Sequence, residues 1–170
     1  MAVKVIKLEA AYPGSHYQSP HSRACMLAHA GVDYLRAVTF VVENTDQGPM
    51  TSFLLPSMHQ TLELLMKAVA FKADPAFDPK KHSHRLANLL RHYAGRVPIF
   101  ASMLSRSDTV TLLEGLEKGY LGVRYGEWVW SCDGEDWRLF LRLAEELLDE
   151  LHILTQLKFL AKHFEAATGK

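Results

Sequence analysis

Three polar clusters in this 170-residue chain have side chains and spacing that could do chemistry. The sharpest is Tyr120-Leu-Gly-Val-Arg124-Tyr125, where a planar, five-donor guanidinium sits between two phenols, a set suited to gripping a phosphate or a carboxylate. Arg124 has a second option, an ion pair with Glu63 or Glu127 that fixes helix order without any ligand. The next cluster is Glu63-Leu-Leu-Met-Lys67-Ala68, with His59 one helical turn earlier. Acid and base stand four apart in the favourable order, so the row reads either as a solvated or half-buried polar edge or as one wall of a cleft. The third is His82-Ser-His84, just ahead of Leu86, Leu89 and Leu90. An imidazole placed there can satisfy free backbone amides at a helix start or face a pocket.

Metal chemistry finds little support in the spacing. Cys25 and Cys132 form no C-x-x-C, and His82 and His84 lack a third ligand at a fitting distance along the chain. We therefore expect no metal and no cofactor. Nineteen basic residues balance nineteen acidic ones, so no global field draws the chain to nucleic acid or anionic lipid, and any such contact needs a local patch. No run of roughly 18 uninterrupted apolar residues is present, nor is a secretory apolar segment, which places the protein in the cytoplasm with no membrane contact.

The elements that must position these residues are helical. The length suits one domain, and 48% hydrophobic with 22% charged residues is an ordinary globular composition. Residues 1–21, with Pro13-Gly14-Ser15 and Ser19-Pro20, read as an irregular or extended lead-in. From Ser22 to Asn44, the positions Met26, Ala30, Val32, Tyr34, Leu35, Val38, Phe40 and Val41 suit a helix buried on more than one side. Leu55, Met58, Leu62, Leu65, Met66 and Val69 form the stripe of a second helix, with Pro56 in its first turn or kinking it. A breaker-rich loop around Asp74-Pro75 and Asp78-Pro79 leads to a short amphipathic helix through Leu86, Leu89, Leu90 and Tyr93, closed by Gly95. Ser105 to Asp108 supply a start for a helix carrying Val110, Leu113, Leu116 and Tyr120. After a segment containing Trp128 and Trp130, a last helix begins near Asp136 and aligns Phe140, Ala144, Leu147, Leu151 and Leu154, with Lys158, Lys162 and His163 in its last turn. The pattern predicts an all-α fold, an antiparallel up-and-down bundle of four to five helices.

In order and spacing, Glu63-x-x-x-Lys67-Ala68, His84-x-Leu86-x-x-Leu89-Leu90 and Tyr120-x-x-x-Arg124-Tyr125 resemble the signature of the HEPN superfamily, from about Ser22 to Leu160. One difference is that Gly126 stands where the family's tyrosine-containing motif usually runs into a proline. The resemblance implies a HEPN-like bundle over residues 22–165 that forms a homodimer and associates with a nucleotide, with RNA, or with a nucleotidyltransferase or antitoxin partner. It assigns ligand binding to Arg124, Tyr120, Tyr125, His84, Lys67, Glu63 and His59. Cutting members pair an Arg with a His four to six residues further on and cleave RNA without metal, the His moving the ribose hydroxyl proton and the Arg steadying the phosphate. Arg124 is followed by no histidine before His152. Arg85 and His92, seven apart and nearly on one helix face, are the remaining catalytic candidates. The expected function is thus a binding and assembly protein. Its alternatives are a metal-independent endoribonuclease of toxin–antitoxin type, or a ligand-free dimerisation module.

Overall fold

Apolar residues recurring every three to four positions drive the described part of the chain into helices, and no strand occurs among the described residues. The computed structural model describes residues 20–44, 51–82, 84–125 and 132–151. The readings made on residues 1–19, Glu127, Trp128, Trp130, His152, Leu154, Lys158, Lys162 and His163 lie outside the described residues. Six helices are present among them: α1 Pro20–Asn44, α2 Thr51–Ala73, α3 Leu86–Tyr93, α4 Pro98–Leu104, α5 Ser107–Tyr125 and α6 Gly134–Glu150.

That is one more than the expected four to five. The addition is α4, seven residues opened by a proline that needs no amide partner at the first helical position. It buries Phe100 and Met103, three apart on one face. The four long helices α1, α2, α5 and α6 follow the expected bundle, with α3 and α4 as a short crossover between α2 and α5.

Contacts fix how the helices run. A Cβ added at Gly31 would lie 2.9 Å from Leu65, so α1 and α2 approach closely as an antiparallel hairpin. Gly119 serves α5 in the same way, against Leu55 of α2. Arg106, just before α5, holds Glu146 of α6 through two bonds of 2.8 and 2.7 Å. Arg142 reaches back to Asp108 at 3.2 Å, so α5 and α6 are antiparallel. Lys72 near the end of α2 reaches Glu150 at the end of α6, so these two helices run in parallel. The Arg106 fork is partly shielded from solvent and bidentate, the geometry in which an ion pair contributes measurably. Arg106→Ala should lower stability by about 1–2 kcal/mol, read from the urea midpoint, with Arg106→Lys recovering only part of it.

The core centres on α2, where Leu55, Met58, Leu62, Leu65, Met66 and Val69 are all buried. Pro56 falls in the second turn of α2 rather than the first, so one intrahelical hydrogen bond is missing there. α6 starts at Gly134, two residues before the expected Asp136, because Asp133 and Asp136 form a reciprocal capping box. Phe140, Ala144, Leu147 and Leu151 line its buried seam.

α1 departs from expectation. Ala24, Ala28, Val32, Leu35 and Val38 face α2, but Met26 and Tyr34 are 43% exposed and Phe40 is 66% exposed. Among the described residues α1 packs mainly on α2, so only one of its apolar faces is covered. Its segment Arg23–Asn44 is long and apolar enough, by length and mean hydropathy of 1.3, to cross a membrane. Asp33 and Arg36, three apart and exposed, interrupt that apolar surface.

Candidate functional site

The three sequence clusters meet around one carboxylate. Glu63, in the middle of α2, is 3% exposed. Its Oε1 accepts from Lys67 Nζ at 2.5 Å one turn further on, and its Oε2 accepts from His84 Nδ1 at 2.9 Å across the loop before α3. Burial alone would push the Glu63 carboxyl upward. The Lys67 hydrogen bond and charge, with the His84 hydrogen bond, more than offset that and hold it below its ordinary value.

His59, fully buried one turn earlier, completes the arrangement. Its Nε2 lies 3.1 Å from the His84 carbonyl, which can only accept, so Nε2 carries the proton and Nδ1 keeps a lone pair. That Nδ1 has no hydrogen-bond partner and stands 3.7 Å from Glu63 Oε2. Burial chiefly, against a smaller opposing pull from the His84 carbonyl and Glu63, lowers the His59 pKa and keeps the ring neutral. The Tyr120 ring stacks on His59 at 4.4 Å and on His84 at 5.2 Å. Segments from α2, the loop before α3 and the last turns of α5 are thereby pinned together.

His84 is the outward member. Its backbone takes φ 55°, the left-handed region that a non-glycine residue adopts only when its surroundings impose it. The His59 bond to its carbonyl and the Glu63 bond to its ring supply that constraint. The His84 Nδ1 is committed to Glu63, and the side chain is 43% exposed. This is a carboxylate-oriented imidazole that reaches the surface.

The expected ligand-binding residues therefore separate. Glu63, Lys67 and His59 are buried and engaged with one another or with His84, whereas Tyr125 at the end of α5 is 70% exposed. Arg124 lies in the last turn of α5, where the sequence placed it, and its side chain falls outside the described residues. Glu63 is already doubly engaged by Lys67 and His84.

Of the two readings of His82 and His84, an imidazole that satisfies free amides or one that faces a pocket, His82 takes the second, and an imidazole is not what meets the amide at the start of α3. Glu117 of α5 accepts from the Ala87 amide at 2.8 Å instead. Nothing in local spacing signals this, since the two residues are thirty apart.

Arg85 and His92 lie together on the outer side of α3. With Lys81, His82, Asn88 and Arg91 they line an open groove of about 630 Å³. Rings of His82 and His92 are 4.8 Å apart. Three of these six stand out in the sequence, Arg85 and His92 as catalytic candidates and His82 as an imidazole that can face a pocket. The polar face of α3 at positions 85, 88 and 92, beside the basic run Lys80-Lys81-His82, was the signal for the rest. Among the described residues, no three His, Cys, Asp or Glu side chains gather as a metal site.

Compared with family models, with curated proteins and with solved structures, the chain finds no match in any of the three.

Proposed function

We propose that this chain is a HEPN-like helical binding and assembly protein. It acts as a cytoplasmic homodimer and takes up a phosphate of a nucleotide or nucleic acid, or a nucleotidyltransferase partner, at the end of the bundle carrying His84 and the Tyr120–Tyr125 turn. The observation that supports this most is the convergence of Lys67 and His84 on buried Glu63, with Tyr120 stacked on a His84 side chain that is 43% exposed. A cluster serving only to hold helices needs no strained, exposed imidazole. Arg124 is the phosphate ligand in this reading, with His84 beside it and Lys67 and Glu63 fixing the imidazole.

Calorimetric titration with a nucleoside triphosphate tests it. Arg124→Ala should weaken binding about tenfold or more, the scale of one lost charge-assisted hydrogen bond. Equal heat in both proteins, or none in either, removes the support. Light scattering checks the dimer in the same samples.

One observation favours a second reading, metal-independent RNA cleavage. Two imidazoles 4.8 Å apart share a groove with Arg85, which provides a proton donor, a proton acceptor and a phosphate ligand. Purified protein incubated with mixed RNA in chelator should then shorten the RNA, and His92→Asn should stop it. Intact RNA excludes this reading and leaves the first untouched.

A further inference from the structure

The groove on α3 has a charge pattern that neither the bundle nor the Glu63 cluster requires. Its lining contains Lys81, Arg85 and Arg91 and no carboxylate. Arg91 is tied to Glu114 of α5 at 2.7 Å and to Asn88 at 3.4 Å. Among the described residues neither Lys81 nor Arg85 has an ion-pair partner. Glu117, whose carboxylate accepts from the Ala87 amide, offsets part of the Arg85 and Arg91 charge without forming an ion pair with Arg85, and a bound anion relieves the cationic excess that remains in the concavity.

We propose that this groove is a second anion site, separate from Arg124, that binds ligands carrying more than one phosphate group and takes up protons as it does so. Size and layout favour several phosphates over one. Arg85, the residue that precedes α3, and Asn88 and His92 on it stand at i, i+3 and i+7, a row about 10 Å long at the helical rise. Lys81 and His82 form the opposite bank from the loop before it. Asn88 and the guanidinium groups offer directional donors, and Lys81 offers a point charge.

Proton uptake follows from the paired imidazoles. His82 is surrounded by Lys67 of α2, His92 of α3, and Asp78 and Lys81 of its own loop. The His92 ring meets His82 and the Tyr93 ring and shares the groove with Arg85 and Arg91, the latter neutralised by Glu114. Burial, then the neighbouring His92 and Lys67, depress the His82 pKa, so the empty groove holds His82 mainly neutral at pH 7. A phosphate at the edges of the two touching rings reverses the local field and favours a proton on His82. Binding strengthens as pH falls.

Phosphate groups reach such a groove from a free polyphosphate or from the backbone of a single strand, and two probes separate these sources. Tripolyphosphate is titrated by calorimetry, and a fluorescent 12-nucleotide single-stranded RNA by anisotropy, each at pH 8.0 and pH 6.0 in low salt. Wild type should bind at least one probe, at least fivefold more tightly at pH 6.0. The exposed-site variant Lys81→Gln/Arg85→Gln should weaken binding tenfold or more at both pH values. His82→Asn/His92→Asn removes both imidazoles and should lose the gain at pH 6.0, so that its affinity no longer differs between the two pH values. RNA binding alone assigns a strand, and binding of both probes assigns the phosphates themselves.

The idea is overturned if neither probe binds at millimolar concentration, if Lys81→Gln/Arg85→Gln binds like wild type, or if His82→Asn/His92→Asn retains the full pH dependence. Arg124→Ala removes the other phosphate site, so binding of these probes should persist in it and still depend on Lys81 and Arg85. A loss there would shift the phosphate to the Arg124 site and refute a separate groove.

Discussion

Glu63→Ala should lower the unfolding free energy by about 3–5 kcal/mol, because it leaves Lys67 buried without a counter-charge and His84 without its anchor. Lys67 is 8% exposed, so its ammonium gains little water when the carboxylate is removed. Loss of the Glu63 bond also frees His84 from one of the two contacts that hold φ 55°, a backbone state worth roughly 1–3 kcal/mol of strain. Denaturant melts of three proteins test the account. The paired change Glu63→Leu/Lys67→Met removes both charges and keeps the volume, so it should be at least 2 kcal/mol more stable than Glu63→Ala. His84→Ala, which removes only the exposed partner, should cost about 1–2 kcal/mol. A Glu63→Ala loss below about 1 kcal/mol would mean the carboxylate is not the group holding the cluster, and the convergence on it would have no energetic content.

How far the sequence discloses this architecture depends on the range of the forces involved. The stripe on α2 and the seam on α6 were legible because burial imposes a three-and-four period that survives in the order of residues. α4 was not, since seven residues show barely two turns of that period; the proline at its first position was the remaining clue. The exposed Met26, Tyr34 and Phe40 of α1 show the opposite failure. Apolar residues on two sides of a helix predict two covered sides, and only packing reveals that one lacks a cover among the described residues. In the site, the Glu63–Lys67 bond was readable at four residues' spacing, whereas the His84 bond to Glu63 and the Glu117 bond to Ala87 close loops of 21 and 30 residues. Such contacts leave no periodic trace. Whether the Glu63–Lys67 row is a solvated or half-buried edge or one wall of a cleft was likewise a matter of what α3 and α5 lay against α2.

Acid should destabilise the protein well before its surface carboxylates titrate, with His59 as the main cause. Its ring is fully buried and its folded pKa lies below the ordinary 6.5, while in the unfolded chain it titrates normally. A histidine depressed by folding contributes stability that is whole above the unfolded pKa and is lost as pH falls below it, because the unfolded state then binds the extra proton. The slope is about 1.4 kcal/mol per pH unit below 6.5 until the folded ring also takes up a proton. His82, depressed as well, adds in the same direction. Glu63 adds a later loss, since a carboxyl lowered by folding gives up its contribution as pH drops through and below its unfolded value of 4.5. Urea midpoints should therefore hold steady from pH 8 to 7 and fall steeply from pH 6.5 to 5. His59→Phe keeps a ring against Tyr120 and removes the titrating group, so it should be less stable at pH 7.5, for want of the bond to the His84 carbonyl, yet flatter across that interval. If the wild-type and His59→Phe curves run parallel from pH 7 to 5, the buried imidazole is not the group that senses acid, and the neutral, carbonyl-bound tautomer assigned to it is wrong.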